Sequence, residues 1–335
     1  MENTLLLDAG SGGRASERLI SSIFLRHFGN DILDRLDDAA LLSDLRAPLA
    51  VSTDSYTVAP LFFPGGSIGT LAAHGTINDV AMLGAEPRYM SCAFILEEGL
   101  PLDILERIAR EMGEGARAAN VRIVTGDTKV VPKGACDGVF ITTTGMGEVY
   151  MDPAPSGHGI RPGDALLVSG TLGDHGLAIM GAREGLSFLS GAKSDSAALH
   201  GLVRQIFNAA GAPHALRDPT RGGLATTLNE LAAQSGVEIE IDEDALPVRE
   251  EIAAGCSFLG LDPLYLANEG KLVCAVPKER AKDALQAMRG HELGKDAAII
   301  GEAREGRPGR VALRTRIGGK RLLGMLEGAP LPRIC

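Results

Sequence analysis

The chain has 335 residues, 45% of them hydrophobic, which is enough for two domains that each bury a core of their own. Its formal net charge is −10 at pH 7, and no run of lysine and arginine supplies the clustered positive charge that nucleic-acid binding requires. The sequence starts without a basic leader and has no apolar run near the roughly 18 residues of a membrane span, so we expect a cytoplasmic protein that contacts no membrane.

The first predicted elements are a strand, a glycine loop and a helix. Residues 4–7 form a short apolar run, and a glycine-rich segment follows it. Apolar side chains then recur at helical spacing until Gly29 ends the pattern; they are Leu19, Ile20, Ile23, Phe24 and Phe28. We assign residues 1–36 to the glycine loop and this N-terminal helix.

The glycine loop matches the G-x-G-x-x-A pattern of dinucleotide-binding folds over residues 10–15. The next segment argues against that fold, because residues 29–38 are polar and carry four aspartates where the fold needs an apolar strand. The motifs of P-loop enzymes and protein kinases are absent from the sequence. The loop remains a candidate for closing over phosphates, and we predict Gly12 and Gly13 as ATP-binding residues.

Strands and helices alternate through the first half of the chain. Beta-type runs cover residues 48–58, 88–96, 121–124 and 139–144, and helical patterns cover 67–83 and 102–119. We predict an N-terminal ATP-binding α/β domain over residues 37–152.

A domain boundary is predicted where proline and glycine crowd together between residues 151 and 164. Beyond it, strands are predicted at 165–168, 237–241, 272–276, 298–300 and 311–313, with helices at 197–210, 222–234 and 278–288. This pattern predicts a C-terminal α+β domain over residues 160–326, so the chain is expected to be a two-domain α/β protein.

Five acidic motifs are predicted at turns or at the ends of elements: Asp37-Asp38, Ser52-Thr53-Asp54, Ile77-Asn78-Asp79, Gly126-Asp127-Thr128-Lys129 and Asp218-Pro219-Thr220. Carboxylates are hard ligands, and a magnesium ion that also holds phosphates takes a few of them together with water. Several of these aspartates are therefore expected to converge on Mg²⁺ and ATP, although each motif alone is equally typical of a helix cap or turn. Asp79 is the strongest candidate, because it lies inside a helical pattern where aspartate caps nothing.

The sequence ends with Cys335, on a tail assigned to residues 327–335. Pro330 and Pro332 lack a backbone N–H and keep such a segment extended, so we expect a mobile tail that carries its sulfur to a distant site. The alternative is a frayed end without a function. The five cysteines include no CxxC pair, so neither a disulfide framework nor a zinc site is expected.

In this order the motifs resemble the superfamily of ATP-using enzymes that includes aminoimidazole ribonucleotide synthetase and selenophosphate synthetase. Within it, the whole chain is most similar to the HypE family of hydrogenase maturation proteins, which are carbamoyl dehydratases. The segments that carry this resemblance are DDAA, STDSYTV, GTINDVAMLGAEP, GDTKVV, DPTRGGLA, NEG and the final PRIC.

The resemblance implies a homodimer in which ferredoxin-like mixed sheets of the two N-terminal domains form a dimer sheet or barrel. ATP and Mg²⁺ would lie between this sheet and the partner chain. Carried over motif by motif, the implied metal ligands are Asp38, Asp79 and Asp218, and the implied ATP-binding residues are Asp54, Asp79, Gly126, Asp127 and Thr128.

The resemblance also makes Cys335 the substrate. In this family HypF places a carbamoyl group on the terminal sulfur, and ATP-dependent dehydration converts the S-carboxamide into an S-cyanate. The cyanide then passes to iron on a HypC–HypD scaffold and becomes a ligand of the NiFe-hydrogenase iron. The reaction needs a base, for which Glu269 and Lys129 are candidates because burial raises the pKa of glutamate and lowers that of lysine.

Two alternatives remain open from the residues. Phosphotransfer of the selenophosphate synthetase type needs a thiol in the glycine loop, where this chain has Ser11. A non-catalytic scaffold would use the tail only as a docking peptide.

Overall fold

The computed structural model describes residues 4–6, 9, 18–35, 40, 42, 45, 48–151, 153–186, 191–326 and 333–335. Three residues named above, Gly12, Gly13 and Asp38, lie outside this part of the chain. Within it, a four-stranded sheet forms the N-terminal domain and a seven-stranded sheet forms the C-terminal domain. The two-domain α/β architecture expected from the sequence is confirmed.

The N-terminal domain is a mixed sheet covered on one face by two helices. Its strands are β1 (Leu49–Tyr56), β4 (Ala85–Glu97), β5 (Arg122–Val131) and β6 (Val139–Val149), and a small hairpin pairs β2 (Phe62–Phe63) with β3 (Gly66–Ser67). The order is β1-β6-β4-β5, in which only β4 and β5 run parallel. The helices are α1 (Leu25–Phe28), which continues a π-helical turn at Ile20–Phe24, α2 (Ile68–Met82) and α3 (Leu102–Ala118).

Helix α2 begins at a well-defined cap and is buried along most of its length. The Ser67 hydroxyl accepts from the backbone N–H of Thr70 while the Thr70 hydroxyl accepts from that of Ser67, a capping box that satisfies two otherwise unpaired donors. Most of its side chains are buried, because the helix lies between the sheet, α3 and the second domain. This position explains why its small residues are packed on nearly every face.

The C-terminal domain is a largely antiparallel sheet between layers of helices. Its strands are β7 (Asp164–Val168), β8 (Ala215–Arg217), β9 (Glu238–Asp242), β10 (Val273–Pro277), β11 (Ala298–Arg304), β12 (Arg310–Arg314) and β13 (Lys320–Leu323), in the order β13-β12-β9-β11-β7-β10-β8. Its helices are α4 (Asp174–Glu184), α5 (His200–Ala210), α6 (Gly223–Ser235), α7 (Glu250–Leu259) and α8 (Ala281–Arg289). One hydrophobic core lies between α6 and one face of the sheet. Another lies between the opposite face of the sheet and helices α5 and α8.

The predicted elements are present with small shifts, and two helices were missed. Helix α4 lacks an amphipathic pattern because its first six residues are all buried, so periodicity does not reveal it. Helix α7 was also not predicted. Strand β5 extends to Val131, β1 contains Asp54 and helix α2 contains Asp79, so the prediction that every acidic motif lies at a turn or element end was wrong for three motifs. In the described part of the chain, no helix combines the length and hydropathy needed to cross a membrane.

Candidate functional site

A polar cleft of about 310 Å³ lies between the two domains. The residues that line this interdomain cleft are Thr53, Asp54, Gly75 and Asp79 from the N-terminal domain, Arg217, Asp218, Thr220, Arg221, Thr227, Glu230 and Glu269 from the C-terminal domain, and Cys335. The cleft therefore brings together Asp54, Asp79 and Asp218 from the acidic motifs. It also contains Cys335 of the tail and Glu269, one of the two predicted bases.

Strand β1 and helix α2 place the first two carboxylates. Ser52 and Asp54 lie two residues apart on β1 and point to the same face. The Ser52 hydroxyl donates to Oδ2 of Asp79 on α2 at 2.7 Å. Gly75, one turn earlier on α2, faces Tyr56, and a Cβ there would lie 2.4 Å from the Tyr56 hydroxyl oxygen. Close packing of β1 against α2 thus brings the two aspartates to the same wall.

Asp218 and Glu269 form the opposite wall. Asp218 follows β8, where burial and the nearby Asp79 raise the pKa of its carboxyl to about 7. Glu269 is 3% exposed, and its Oε1 has no hydrogen-bond partner among the described residues. Burial, followed by repulsion from Asp218, holds the pKa of Glu269 well above its ordinary value. A buried carboxyl without a partner is the kind of group that a ligand or substrate proton engages.

The backbone around Glu269 is fixed by Asp195. Its carboxylate accepts from the N–H of Glu269 at 3.1 Å, from the N–H of Gly270 at 3.2 Å and from Nζ of Lys271 at 3.1 Å. A Cβ on Gly270 would lie 1.7 Å from the carbonyl oxygen of Asp195, so only glycine fits there. These contacts hold the segment that carries Glu269 against the cleft.

The last three residues pass beside the end of β1 and place Cys335 in the cleft of its own chain. The N–H of Thr57 donates to the carbonyl oxygen of Cys335 at 3.0 Å, and the N–H of Ala59 donates to that of Arg333 at 3.3 Å. Ile334 is 6% exposed and packs in the N-terminal core. Burial, followed by the charge of Glu269, raises the pKa of the Cys335 thiol to about 12. The tail is therefore docked at residues 333–335, and the predicted mobility of its remainder stays a prediction.

The GDTK motif lies elsewhere. Gly126, Asp127, Thr128 and Lys129 are on β5, at the sheet edge opposite β1. Three strand spacings of about 4.8 Å separate these edges, so within one chain the motif is about 14 Å from Asp54. The side chains of Asp127 and Lys129 are exposed. A single chain therefore does not bring this motif together with the cleft.

Several residues of the site were not identified from the sequence. Asn78 donates from Nδ2 to the carbonyl oxygens of Ala197 and Glu269 and accepts at Oδ1 from the N–H of Leu199, so it joins α2 to the Glu269 segment. Arg217 and Arg221 add positive charge to the cleft. Both arginines flank Asp218 closely in the sequence, and a pair of basic residues beside an acidic motif is the signal that indicates a phosphate site there.

The carboxylates of the cleft are suited to bind a cation whose remaining ligands come from phosphate and water. The pKa values of Asp79, Asp218 and Glu269 are all raised by burial and mutual repulsion, and the nearby Arg217 and Arg221 offset this only in part. Nowhere in the described ranges do three His, Cys, Asp or Glu side chains come close enough to hold a metal by themselves. Mg²⁺ that is bound by one or two carboxylates and completed by phosphates and water needs no such group of three.

Comparisons with known proteins identify the family. Residues 36–149 match the family model described as AIR synthase related protein, N-terminal domain, and residues 161–314 match the corresponding C-terminal domain. The chain is 54% identical to carbamoyl dehydratase HypE of Azotobacter vinelandii over 97% of this chain and 96% of that protein.

Solved structures agree with this assignment. A crystal structure of hydrogenase maturation protein HypE in complex with ATP is 62% identical, with a TM-score of 0.97 over 99% of this chain and 100% of the other. A structure of a HypE–HypF complex is 46% identical, with a TM-score of 0.81 over 92% of this chain and 99% of that one. The resemblance and the enzyme class predicted from the motifs are confirmed, and the scaffold and selenophosphate alternatives are not supported. The chain belongs to the HypE family of carbamoyl dehydratases, enzymes of hydrogenase maturation.

Proposed function

We propose that this protein dehydrates a carbamoyl group carried on its own Cys335, converting an S-carboxamide into an S-cyanate at the expense of ATP. The product supplies the cyanide ligand of the NiFe-hydrogenase iron. One observation carries the proposal: Cys335 lies in the same cleft as the carboxylates of Asp54, Asp79 and Asp218 and as Glu269, whose Oε1 has no hydrogen-bond partner in the described part of the chain.

The chemistry needs a better leaving group than hydroxide. The γ-phosphoryl group of ATP is transferred to the carboxamide oxygen as the nitrogen loses its first proton. The C–O bond then breaks with phosphate leaving, the second N–H proton passes to the departing phosphate, and the C≡N bond forms. ADP and phosphate are released, and the carrier peptide becomes lighter by one water. Glu269 takes a proton from the nitrogen, and its raised pKa makes its carboxylate a stronger base than an ordinary glutamate.

The sulfur acts here as a carrier. Only the thiolate of cysteine is a strong nucleophile, and a pKa of about 12 keeps the docked Cys335 thiol neutral. Carbamoylation by HypF therefore takes place with the tail undocked, and dehydration takes place after it has docked. A solved complex of a HypE with HypF supports this partner, and transfer to HypC–HypD follows from the family's reaction.

ATP binds in this cleft with Mg²⁺. The solved HypE that contains ATP has nearly the same fold, and the cleft offers Arg217 and Arg221 for phosphate oxygens. Asp79 and Asp218 would hold the metal, which neutralises phosphate charge, and Asp54 lies beside them. The metal role of Asp38 and the phosphate role of Gly12 and Gly13 stay predictions, because these residues lie outside the described ranges.

A homodimer explains the position of the GDTK motif. The sheet face opposite α2 and α3 exposes apolar side chains, including Leu49 at 43%, Val51 at 57% and Ile95 at 42%. Pairing this face with that of a second copy buries these side chains and brings Asp127, Thr128 and Lys129 of one subunit toward the cleft of the other. Lys129 then acts in the partner's cleft.

The test uses intact mass spectrometry of the C-terminal peptide. Protein incubated with its carbamoylating partner, carbamoyl phosphate and Mg-ATP is expected to gain a carboxamide on Cys335 and then to lose one water. The Cys335→Ala variant is expected to show neither change while it still binds ATP. A carboxamide that persists unchanged with ATP present contradicts the proposed reaction.

A further inference from the structure

We infer that His175 and Arg183 of α4, together with the backbone of residues 57–59, form a docking clamp that recognises the tail through its main chain. This docking clamp consists of the two side chains from the C-terminal domain and the chain that follows β1 in the N-terminal domain. Its ligand is the tripeptide Arg333-Ile334-Cys335. The inference rests on the proposed function only in identifying the docked tail as the reactive form.

Both side chains donate to carbonyl oxygens of the tail. Nε2 of His175 lies 2.8 Å from the carbonyl oxygen of Ile334, and a carbonyl only accepts, so the proton is on Nε2. Nδ1 of His175 then accepts from the Ser194 hydroxyl at 2.8 Å, which fixes the neutral ring. His175 is fully buried at 0% exposure and also contacts the edge of Phe63.

Arg183 bridges the tail and the segment that follows β1. Its Nη2 donates to the carbonyl oxygen of Arg333 at 2.8 Å and to that of Ala59 at 2.8 Å, and its Nε donates to Ala59 at 3.0 Å. Together with the N–H groups of Thr57 and Ala59, these donors satisfy the carbonyl groups of all three tail residues. The tail is thus held through its main chain, with Arg333 in the left-handed conformation at a φ of 55°. Hydrogen bonds to the main chain are a general way in which proteins bind peptides.

Side-chain contacts give the clamp its sequence preference. Nε of Arg333 donates to the carbonyl oxygen of Thr57 at 2.8 Å, its guanidinium pairs with Asp137, and it lies 5.8 Å from the ring centroid of Phe140. The ligand class is therefore a peptide with arginine, here in the left-handed conformation, and a branched apolar residue before cysteine.

None of these contacts involves the sulfur. The docking clamp consequently holds the thiol, the carboxamide and the cyanate by the same hydrogen bonds, and the tail is positioned before and after the reaction. The donors come from both domains, so docking also links α4 to β1 across the cleft. His175 and Arg183 are positioning residues, because neither lines the cleft itself.

The experiment measures how fast iodoacetamide alkylates Cys335, by quantitative mass spectrometry of the full-length protein. Arg183→Met keeps the length of the side chain and removes its donors, and we expect Cys335 to be alkylated about tenfold faster, since hydrogen bonds from charged groups are lost. Arg26→Met is the matched control: it removes an exposed guanidinium that pairs with Glu106, far from the tail, and should leave the rate unchanged.

A second pair of variants separates docking from folding. His175→Leu is expected to increase alkylation of Cys335, and His175→Gln, which retains an N–H near the Nε2 position, should restore slow alkylation. The buried Cys92, Cys256 and Cys274 report unfolding in the same spectra, because they react only if the fold opens. Rescue by glutamine is not expected from a purely structural histidine.

Equal alkylation rates for Cys335 in the unaltered chain, Arg183→Met and His175→Leu, with the buried cysteines protected, would overturn the docking clamp. The measurement uses neither ATP nor the carbamoyl group. A negative result in the dehydration assay would therefore not contradict the docking clamp. A negative result in the alkylation assay would not contradict the proposed dehydration.

Discussion

At the scale of single residues, Cys335 and Glu269 define the reaction by their different surroundings. Burial makes the thiol a poor nucleophile, which suits a sulfur that arrives already modified. The glutamate is buried, has an unpartnered oxygen and lies beside that sulfur in the cleft. Both were named from the sequence, and the structure adds that they meet within one chain.

Replacing Glu269 by glutamine tests its role as base. The amide has nearly the same shape but cannot take a proton, so dehydration of the carbamoylated chain should slow by about 10²- to 10⁴-fold while ATP binding is retained. Single-turnover mass spectrometry measures the rate, and calorimetry measures ATP binding. Glu279→Gln, at an exposed position of the same domain, serves as the control. An unchanged rate in Glu269→Gln would move the base to another residue, with Lys129 the next candidate.

At the scale of elements, the segment at residues 194–199 holds the site together. Ser194 contacts His175, Asp195 anchors the Glu269 backbone, and Ser196 bonds to His74 of α2. Its Ala197 carbonyl accepts from Asn78 on the same helix. This irregular segment therefore connects α2, the base and the docking clamp, a role that no periodic pattern in the sequence indicates.

The contact of this segment with His74 predicts a dependence of stability on pH. Burial, followed by the charge of His200, lowers the pKa of His74 to about 4 from 6.5. The unfolded chain therefore binds a proton between these pH values that the folded chain does not, and the free energy of unfolding should fall by up to about 3 kcal/mol as pH drops from about 6.5 to about 4.

Urea unfolding at several pH values measures this effect. His74→Asn removes the titrating ring and keeps a polar group facing Ser196, so its stability should depend less on pH in that window. His158→Asn replaces an exposed histidine and should leave the dependence as it is. The same slope in His74→Asn and in the unaltered chain would show that other groups cause the loss at low pH.

At the scale of the whole molecule, the proposed active site requires two domains and two chains. The domains supply opposite walls of the cleft, and in the proposed homodimer the exposed face of the N-terminal sheet is the surface that meets the second chain. The separation of the GDTK motif from Asp54 within one chain is the argument that links dimer formation to activity.

A charge on that face should disrupt the dimer. Val51→Glu places a carboxylate where apolar side chains would pair, so we expect monomers in sedimentation velocity and weaker ATP binding. Val51→Thr keeps the branched shape and the strand propensity and should remain dimeric. If Val51→Glu stays dimeric with unchanged ATP affinity, this face is not the interface.

The sequence by itself determined the order of most elements and the two-domain architecture. Periodicity and turn residues are local properties, so β1, α2 and β4 are found within a few residues of their predicted limits. The position of Asp79 inside a helical pattern also predicts a ligand role for it, and the structure adds its hydrogen bond from Ser52. Motif order was enough to identify the family.

Only the tertiary structure decided which of these residues meet. Asp54 and Asp127 have the same kind of motif, yet strand order places one in the cleft and the other at the far edge. His175 lies in a helix, where a histidine is usually only packed, and the folded chain places the carbonyl oxygen of Ile334 beside its Nε2. Contacts between residues more than 150 positions apart depend on sheet pairing and domain packing, and a local sequence pattern carries no information about either.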